Sequence, residues 1–219
     1  MDPAAGPGGP ISFIVATWNI SGPGSFNGLL AADTRMTASE PTDRECADLS
    51  RKGDHGAFSR LVRRYQDRTY RFILRMVGSH DEAIELTQDT FIKAWQALPE
   101  WRPEAEFRTW LFRIASNAAT DSLRRRKLVQ FVPLEEDYDV PAETPGPEAQ
   151  LRVKQQLRAL ESALARLPHE QREVVLLRDV EDMSYAEIGA TLRINEGTVK
   201  SRLARAREAL LAHRKRENA

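Results

Sequence analysis

A stretch near the middle of the chain limits what the rest can form. Residues 128–150, LVQFVPLEEDYDVPAETPGPEAQ, hold six acidic residues, no basic ones and four prolines. Each proline removes a backbone donor, and the like charges repel, so residues 128–149 read as an extended acidic linker. On both sides apolar residues recur at three- and four-residue steps, and outside the N-terminus no β-alternating segment of useful length is present. The expected fold class is therefore all-α. Two small helical domains, a helical bundle over 48–127 and a helix-turn-helix domain over 150–216, are joined by the linker.

In the first half the helical pattern begins near Asp48. Phe58, Leu61, Val62, Tyr65, Phe72, Ile73 and Met76 mark a first helix that Gly78 ends. Ser79 and Glu82 read as a capping box opening a second helix. Its apolar stripe is Ile84, Thr87, Phe91, Ala94, Trp95 and Leu98, and Glu85, Gln88, Asp89, Ile92 and Gln96 face away from it. Such a polar surface with one apolar residue suits docking to a helical partner. The loop PEWRPEAE leads to a third helix, from about Phe107 to Lys127, that ends in four consecutive cations. This helix mixes Phe107, Trp110 and Phe112 with Arg108, Arg113 and Asn117. Single-stranded DNA is bound by that combination, because bases stack on aromatics and phosphates pair with cations. Trp110 also sits at core spacing with Leu111, Ile114 and Ala118.

In the second half Val153, Leu157, Leu160, Leu164 and Leu167 mark a helix that Pro168 stops, and another covers about Glu170–Asp179. Ser184 and Glu187 read as a capping box for a helix with Ile188 and Leu192 on one face. The small Ala186 and Gly189 leave room for a second helix to approach. Arg193-Ile194-Asn195 is a short turn with Ile194 tucked inward, and Asn195 can cap a helix starting at Glu196. Two helices joined by so short a turn form a helix-turn-helix. Projection at about 100° per residue puts Val199, Leu203, Ala206 and Leu210 on the buried face. Gly197, Ser201, Ala204, Arg205 and Glu208 fall opposite, flanked by Lys200 and Arg202. Small and basic residues on the outward face are what entry into the major groove requires. Residues 193–216 hold eight Lys or Arg against two acidic residues, although the whole chain balances at 32 basic and 32 acidic. That local excess attracts phosphates.

Several chemistries find no support. The single cysteine, Cys46, excludes an internal disulfide and a cysteine-built zinc site and fits a reducing compartment. No run of 18 apolar residues exists, so no transmembrane helix is expected. His55, His80, His169 and His213 are scattered, and neither a phosphate-binding loop nor a GxSxG elbow appears. No enzyme activity, metal or cofactor is expected. Residues 1–35 hold six glycines and only three charged residues, and read as a disordered extension or as sequence ahead of a translation start at Met36. A helix-turn-helix regulator of another kind would need a phosphoacceptor or ligand-binding module, and a helical adaptor would need no basic recognition helix.

Four segments resemble one family. SYAEIGATLRINEGTVKSRLARARE is similar to the promoter-binding helix-turn-helix of bacterial sigma factors of the extracytoplasmic-function group. LPHEQREVVLLRDVEDM resembles the lead-in to that motif. ELTQDTFIKAWQAL resembles the segment that docks on the RNA polymerase clamp. FRTWLFRIASNAATDSLRRRK resembles the helix that reads and opens the −10 element. The similarity covers about 48–127 and 150–214, in the family's order, and leaves 1–35 outside. It implies a non-catalytic, cytoplasmic specificity subunit, tied to stress response, that directs core RNA polymerase to promoters with −35 and −10 elements. By resemblance, Arg193, Thr198, Lys200, Ser201, Arg202, Ala204 and Arg205 face the −35 element. Arg108, Trp110, Arg113, Asn117, Arg124 and Arg125 face the −10 element, with the loop Glu100–Glu106 walling a pocket for a flipped base. Glu85, Gln88, Asp89, Phe91, Ile92 and Gln96 meet the clamp of the largest polymerase subunit. The resemblance further implies contact with the polymerase flap, a linker threaded toward the RNA channel, and regulation by an anti-sigma protein.

Overall fold

The computed structural model describes residues 41–102, 105–126 and 147–217. The extension 1–35, Lys127 and the linker up to residue 146 lie outside them. The described residues are helical, in two compact units. One holds residues 41–126 with 185–196, and the other holds 147–184 with 197–217.

The first unit opens with a helix that the apolar pattern does not announce, α1 (Asp43–Arg51). Thr42 starts it with a capping box. Its hydroxyl accepts from the Glu45 N–H at 3.2 Å, and the Glu45 carboxylate accepts from the Thr42 N–H at 2.7 Å. The Thr42 N–H, with the Thr42 hydroxyl that also donates to this carboxylate at 2.9 Å, holds the Glu45 carboxyl below its ordinary range. Asp43 on α1 also accepts from Arg64 and from the Tyr65 hydroxyl, which anchors α1 to α2 (His55–Val77). Asp54 caps α2 through the Ala57 N–H at 3.0 Å, and Gly78 ends it in the left-handed region at φ 72°.

The next helix, α3 (His80–Ala97), begins where expected but is capped differently. Ser79 makes no side-chain cap hydrogen bond. The Glu82 carboxylate instead accepts from the Ser122 hydroxyl and pairs with Arg126. A charged partner in a half-buried position outcompetes the local cap. Ile84, expected on the buried stripe, is 39% exposed, and the buried side of α3 is Ala83, Leu86, Thr87, Thr90, Phe91 and Ala94. A 3-10 turn, Leu98–Glu100, leads toward α4 (Phe107–Arg125). The core lies among α2, α3 and α4. Leu61, Phe72, Ile73, Met76, Leu111 and Phe112 are buried there, and Phe72 meets Phe112 edge-on at 5.4 Å between ring centroids.

In the second unit α5 runs Pro147–Ala165, starting inside the stretch expected as linker. A proline is tolerated at the first helical position, because the missing N–H has no partner there anyway. The buried Arg172 closes the far end. Its Nε donates to the Leu164 carbonyl at 2.9 Å, and its Nη2 to those of Ala165 and Leu167 at 2.6 and 3.0 Å. Leu164 and Ala165 are the last residues of α5, where a helix end leaves carbonyls short of partners, and Leu167 follows just beyond it. Burial pulls the guanidinium down to about 10.

The helix expected over 170–179 is two pieces. α6 (His169–Val175) widens into a π turn at Leu176–Val180, and Asp182 follows with φ 54°. Then come α7 (Tyr185–Leu192) and the long α8 (Glu196–Glu217). Among the described residues no helix is long and apolar enough to cross a membrane.

Candidate nucleic-acid and protein interfaces

The turn between α7 and α8 is built by two residues. The Ile194 N–H donates to the Gly189 carbonyl at 3.0 Å, and Arg193 takes φ 55°. A Cβ on Gly189 would stand 2.8 Å from the Ile194 carbonyl oxygen. Gly189 is therefore small for the sake of its own turn, rather than to admit another helix. Ala186 is exposed and Ile194 half-buried.

The long helix α8 separates its residues as its periodicity dictates. Val199, Leu203, Ala206 and Leu210 are all buried, at 2% exposure or less. Gly197, Lys200, Ser201, Ala204, Arg205 and Glu208 are exposed, as is Arg193 in the turn. Thr198 and Arg202 are half-buried at the edges. The outward strip thus combines close approach at Gly197, Ser201 and Ala204 with cations at Lys200 and Arg205. Small residues let a helix sit deep in a groove, and guanidinium and ammonium groups reach guanine edges or phosphates from there.

A second surface lies on α3. Glu85, Gln88, Asp89, Ile92 and Gln96 are all exposed, and Ile92 reaches 55%. Phe91, placed with them by resemblance, is 8% exposed and belongs mainly to the core. Its remaining edge joins Ile92, Trp95, Gln96, His55, Phe58 and Ser59 around an apolar groove of about 360 Å³. Trp95 packs against His55 at 4.8 Å and Phe58 at 4.9 Å. His55 and Ser59 escape sequence reading because they are polar residues 40 and 36 positions before Trp95.

The third surface is α4 and the loop before it. A cleft of about 270 Å³ is lined by Glu100, Trp101, Arg102, Ala105, Thr109, Trp110, Arg113 and Ala190. Pro103 and Glu104 of the same loop lie outside the described residues. Trp110 is 8% exposed and packs on Phe107 at 5.6 Å and Trp101 at 6.3 Å, so only an edge reaches the cleft. Arg108 is half-buried, and its Nη2 donates to Glu187 Oε1 at 2.9 Å, an oxygen that also accepts from the Thr109 hydroxyl at 3.4 Å. Asn117 is exposed on α4, and so are Arg124 and Arg125 near its end. Arg126, next in the run, is turned inward, with Nη1 donating to the Val77 carbonyl at 2.8 Å. Among the described residues no cluster of three or more His, Cys, Asp or Glu could hold a metal ion.

Two family models match the chain. Residues 61–129 match the family model for sigma-70 region 2, and residues 157–210 match that for sigma-70 region 4. The chain is 43% identical to the ECF RNA polymerase sigma factor SigE of Mycolicibacterium smegmatis, over 78% of this chain and 67% of that one. It is 33% identical to SigW of Bacillus subtilis, over 73% and 90%. Among solved structures, CnrH in complex with the cytosolic domain of CnrY superposes with a TM-score of 0.59 at 29% identity, over 78% and 95% of the two chains. RpoE of Bartonella quintana in complex with the anti-sigma factor NepR gives a TM-score of 0.58 at 27% identity, over 72% and 96%. An exposed basic strip on α8, a polar face on α3 and a basic, aromatic α4 thus stand within a pair of modules whose order and extent leave one assignment: the chain belongs to the sigma-70 family of RNA polymerase sigma factors, in its extracytoplasmic-function group.

Proposed function

We propose that the chain binds core RNA polymerase, brings it to promoters by reading −35 and −10 elements, and assists melting of the duplex, with no catalysis of its own. The observation that carries this reading is the division of α8, apolar and buried on one side, small and basic on the other. A duplex needs all three properties of the outward strip: close approach, cations and hydrogen-bond donors.

In this reading the module 150–216 sits on the −35 element. Arg193, Thr198, Lys200, Ser201, Arg202, Ala204 and Arg205 meet the groove and its phosphates. The module 48–127 handles the −10 element. Asn117 reads a base edge, Arg124 and Arg125 hold phosphates, and Arg113 and the edge of Trp110 line the cleft beside the loop Glu100–Glu106. Extruding a base costs a few kcal/mol, so a cleft already formed beside aromatic rings favours the reaction path. Arg108 joins the DNA only by leaving Glu187, and Trp110 acts mainly by holding the cleft wall. The face Glu85, Gln88, Asp89, Ile92 and Gln96 docks on the polymerase clamp, with the edge of Phe91 in the adjoining groove. The linker 128–149 runs toward the RNA channel, where its negative charge suits a surface built for nucleic acid. The solved relatives bound to CnrY and NepR support control by an anti-sigma protein in the cytoplasm.

Reconstitution with core polymerase on a promoter library tests this. Promoter-dependent initiation that requires both elements is expected. Tight, specific promoter binding by the chain alone, with no association with core polymerase, would overturn it.

A further inference from the structure

The second unit holds an acidic side chain where an apolar one would be ordinary. Asp179, in the π turn Leu176–Val180, has a fully buried side chain. Its Oδ1 accepts from Arg207 Nη2 at 3.2 Å, and its Oδ2 has no hydrogen-bond partner. Arg207 lies on α8, two residues after Arg205. At about 100° per residue the two point some 200° apart around the helix, so Arg207 is directed inward when Arg205 is directed outward. Arg207 is half-buried and Arg205 exposed, which agrees with that projection.

We infer that Asp179 and Arg207 are positioning residues for promoter reading: the pair fixes the roll and axial register of α8, and thereby where Lys200, Ser201 and Arg205 meet the bases. The inference rests on the −35 reading given above.

Apolar packing leaves the roll of α8 undetermined. The buried side of α8 is Val199, Leu203, Ala206 and Leu210. Contacts among such groups are non-directional, and Ala206 is small, so a modest roll of the helix costs little. A charge pair in a dry site is directional and has one optimum, and polar pairs within otherwise apolar contacts are known to set register in this way. Side-chain ends stand roughly 5–6 Å from a helix axis, so a 10° roll carries them about 1 Å. Recognition geometry tolerates roughly half that.

The far side of the pair is fixed too. The Glu181 N–H donates to the Leu176 carbonyl and the Met183 N–H to that of Leu177, both at 3.0 Å, which closes the chain after the π turn. Arg178 donates to the Met183 carbonyl at 2.7 Å and braces the same segment. Asp179 is thus carried on a rigid piece of backbone, as a reference point for α8 must be.

The test uses the full chain with core polymerase and compares wild type, Asp179→Asn, Arg207→Met and the double variant. The readout is the ratio of initiation on a matched −35 element to initiation on elements with single base changes, with thermal unfolding measured beside it. Positioning predicts that each single variant lowers this ratio about tenfold, that the double variant is no worse than either, and that salt-dependent affinity for random DNA stays put. Arg207→Lys keeps the charge and loses the fork, and should fall between. It also serves if Arg207→Met does not fold. Folded variants that discriminate as well as wild type overturn the inference and leave the −35 reading standing. A wild-type protein whose initiation ignores −35 changes overturns both. Loss of initiation only in proportion to the unfolded fraction would make the pair structural and also overturn the inference.

Discussion

Arg126 pairs with Glu82 and donates to the Val77 carbonyl, which ties the end of α4 to the start of α3 and the end of α2. Its neighbours Arg124 and Arg125 are exposed, and Arg124 has only a loose contact with Asp121 at 3.7 Å. A run of cations that looks uniform in sequence therefore divides by role. Arg126→Ala should cost about 1–3 kcal/mol, because it leaves a half-buried carboxylate with the Ser122 hydroxyl but without its charged partner. Arg125→Ala should stay within about 0.5 kcal/mol. Urea denaturation of the two variants checks this, and equal losses would refute the division.

For DNA, the order reverses. Arg205→Ala removes an exposed cation from the outward strip of α8 and should cost on the order of 1–3 kcal/mol at promoters that depend on the −35 element. Affinity for core polymerase should be unchanged. Normal initiation by the variant would take Arg205 off the DNA surface, and loss of core binding would place the polymerase surface on α8 instead.

Asn117 makes a different prediction. Its side chain is exposed on α4 and can be spared by the core. Asn117→Ala should leave stability and −35 binding intact and weaken opening at the −10 element. Permanganate reactivity of the melted region, compared across −10 variants, reports this directly, and unchanged reactivity would make Asn117 a bystander.

What could be seen in the sequence follows from the range of the forces involved. The buried line of α8 was legible because Val199, Leu203, Ala206 and Leu210 recur at the helical period, and their burial follows from that period alone. α1 was missed because it is short and polar, burying only Cys46, Ala47 and Ser50. Its signal was the Thr42–Glu45 spacing. The same kind of spacing misled at Ser79 and Glu82, where Ser122 and Arg126, some 40 positions away, claim the carboxylate. The groove formed by His55, Phe58 and Trp95 was hidden for the same reason. Long-range partners leave no local periodicity, so a residue such as Phe91 or Trp110 reads as surface or core with equal ease.

Burial pushes Asp179 up to about 6 from an ordinary 3.8, with Arg207 and Arg178 pulling against it. A carboxyl raised on folding contributes stability that is full below about pH 4 and is lost as pH climbs through 6. Asp179→Asn lacks that loss. Relative to wild type, the variant should therefore gain on the order of 2–3 kcal/mol between pH 4 and pH 7. Urea unfolding at several pH values checks this, and parallel profiles for the two proteins would rule it out.

The turn between α7 and α8 offers a test in which the sign is informative. Replacing a helical glycine by alanine ordinarily stabilises by up to about 1 kcal/mol, since alanine loses less backbone entropy. At Gly189 the new Cβ would lie 2.8 Å from the Ile194 carbonyl oxygen, closer than such atoms approach. The obstacle is backbone, and the Ile194 N–H is already committed to the Gly189 carbonyl at 3.0 Å, so the turn must open to relieve it. Gly189→Ala should thus destabilise, by about 1–3 kcal/mol. Arg193, four residues on, sits at φ 55° and carries the opposite sign. Arg193→Gly removes the left-handed strain and should leave stability equal or raise it by up to about 1 kcal/mol, while lowering DNA affinity through the lost charge. Denaturation paired with salt-dependent DNA binding separates the two effects. A stabilised Gly189→Ala protein would rule out the close approach of Gly189 to the Ile194 carbonyl as the reason this position is glycine.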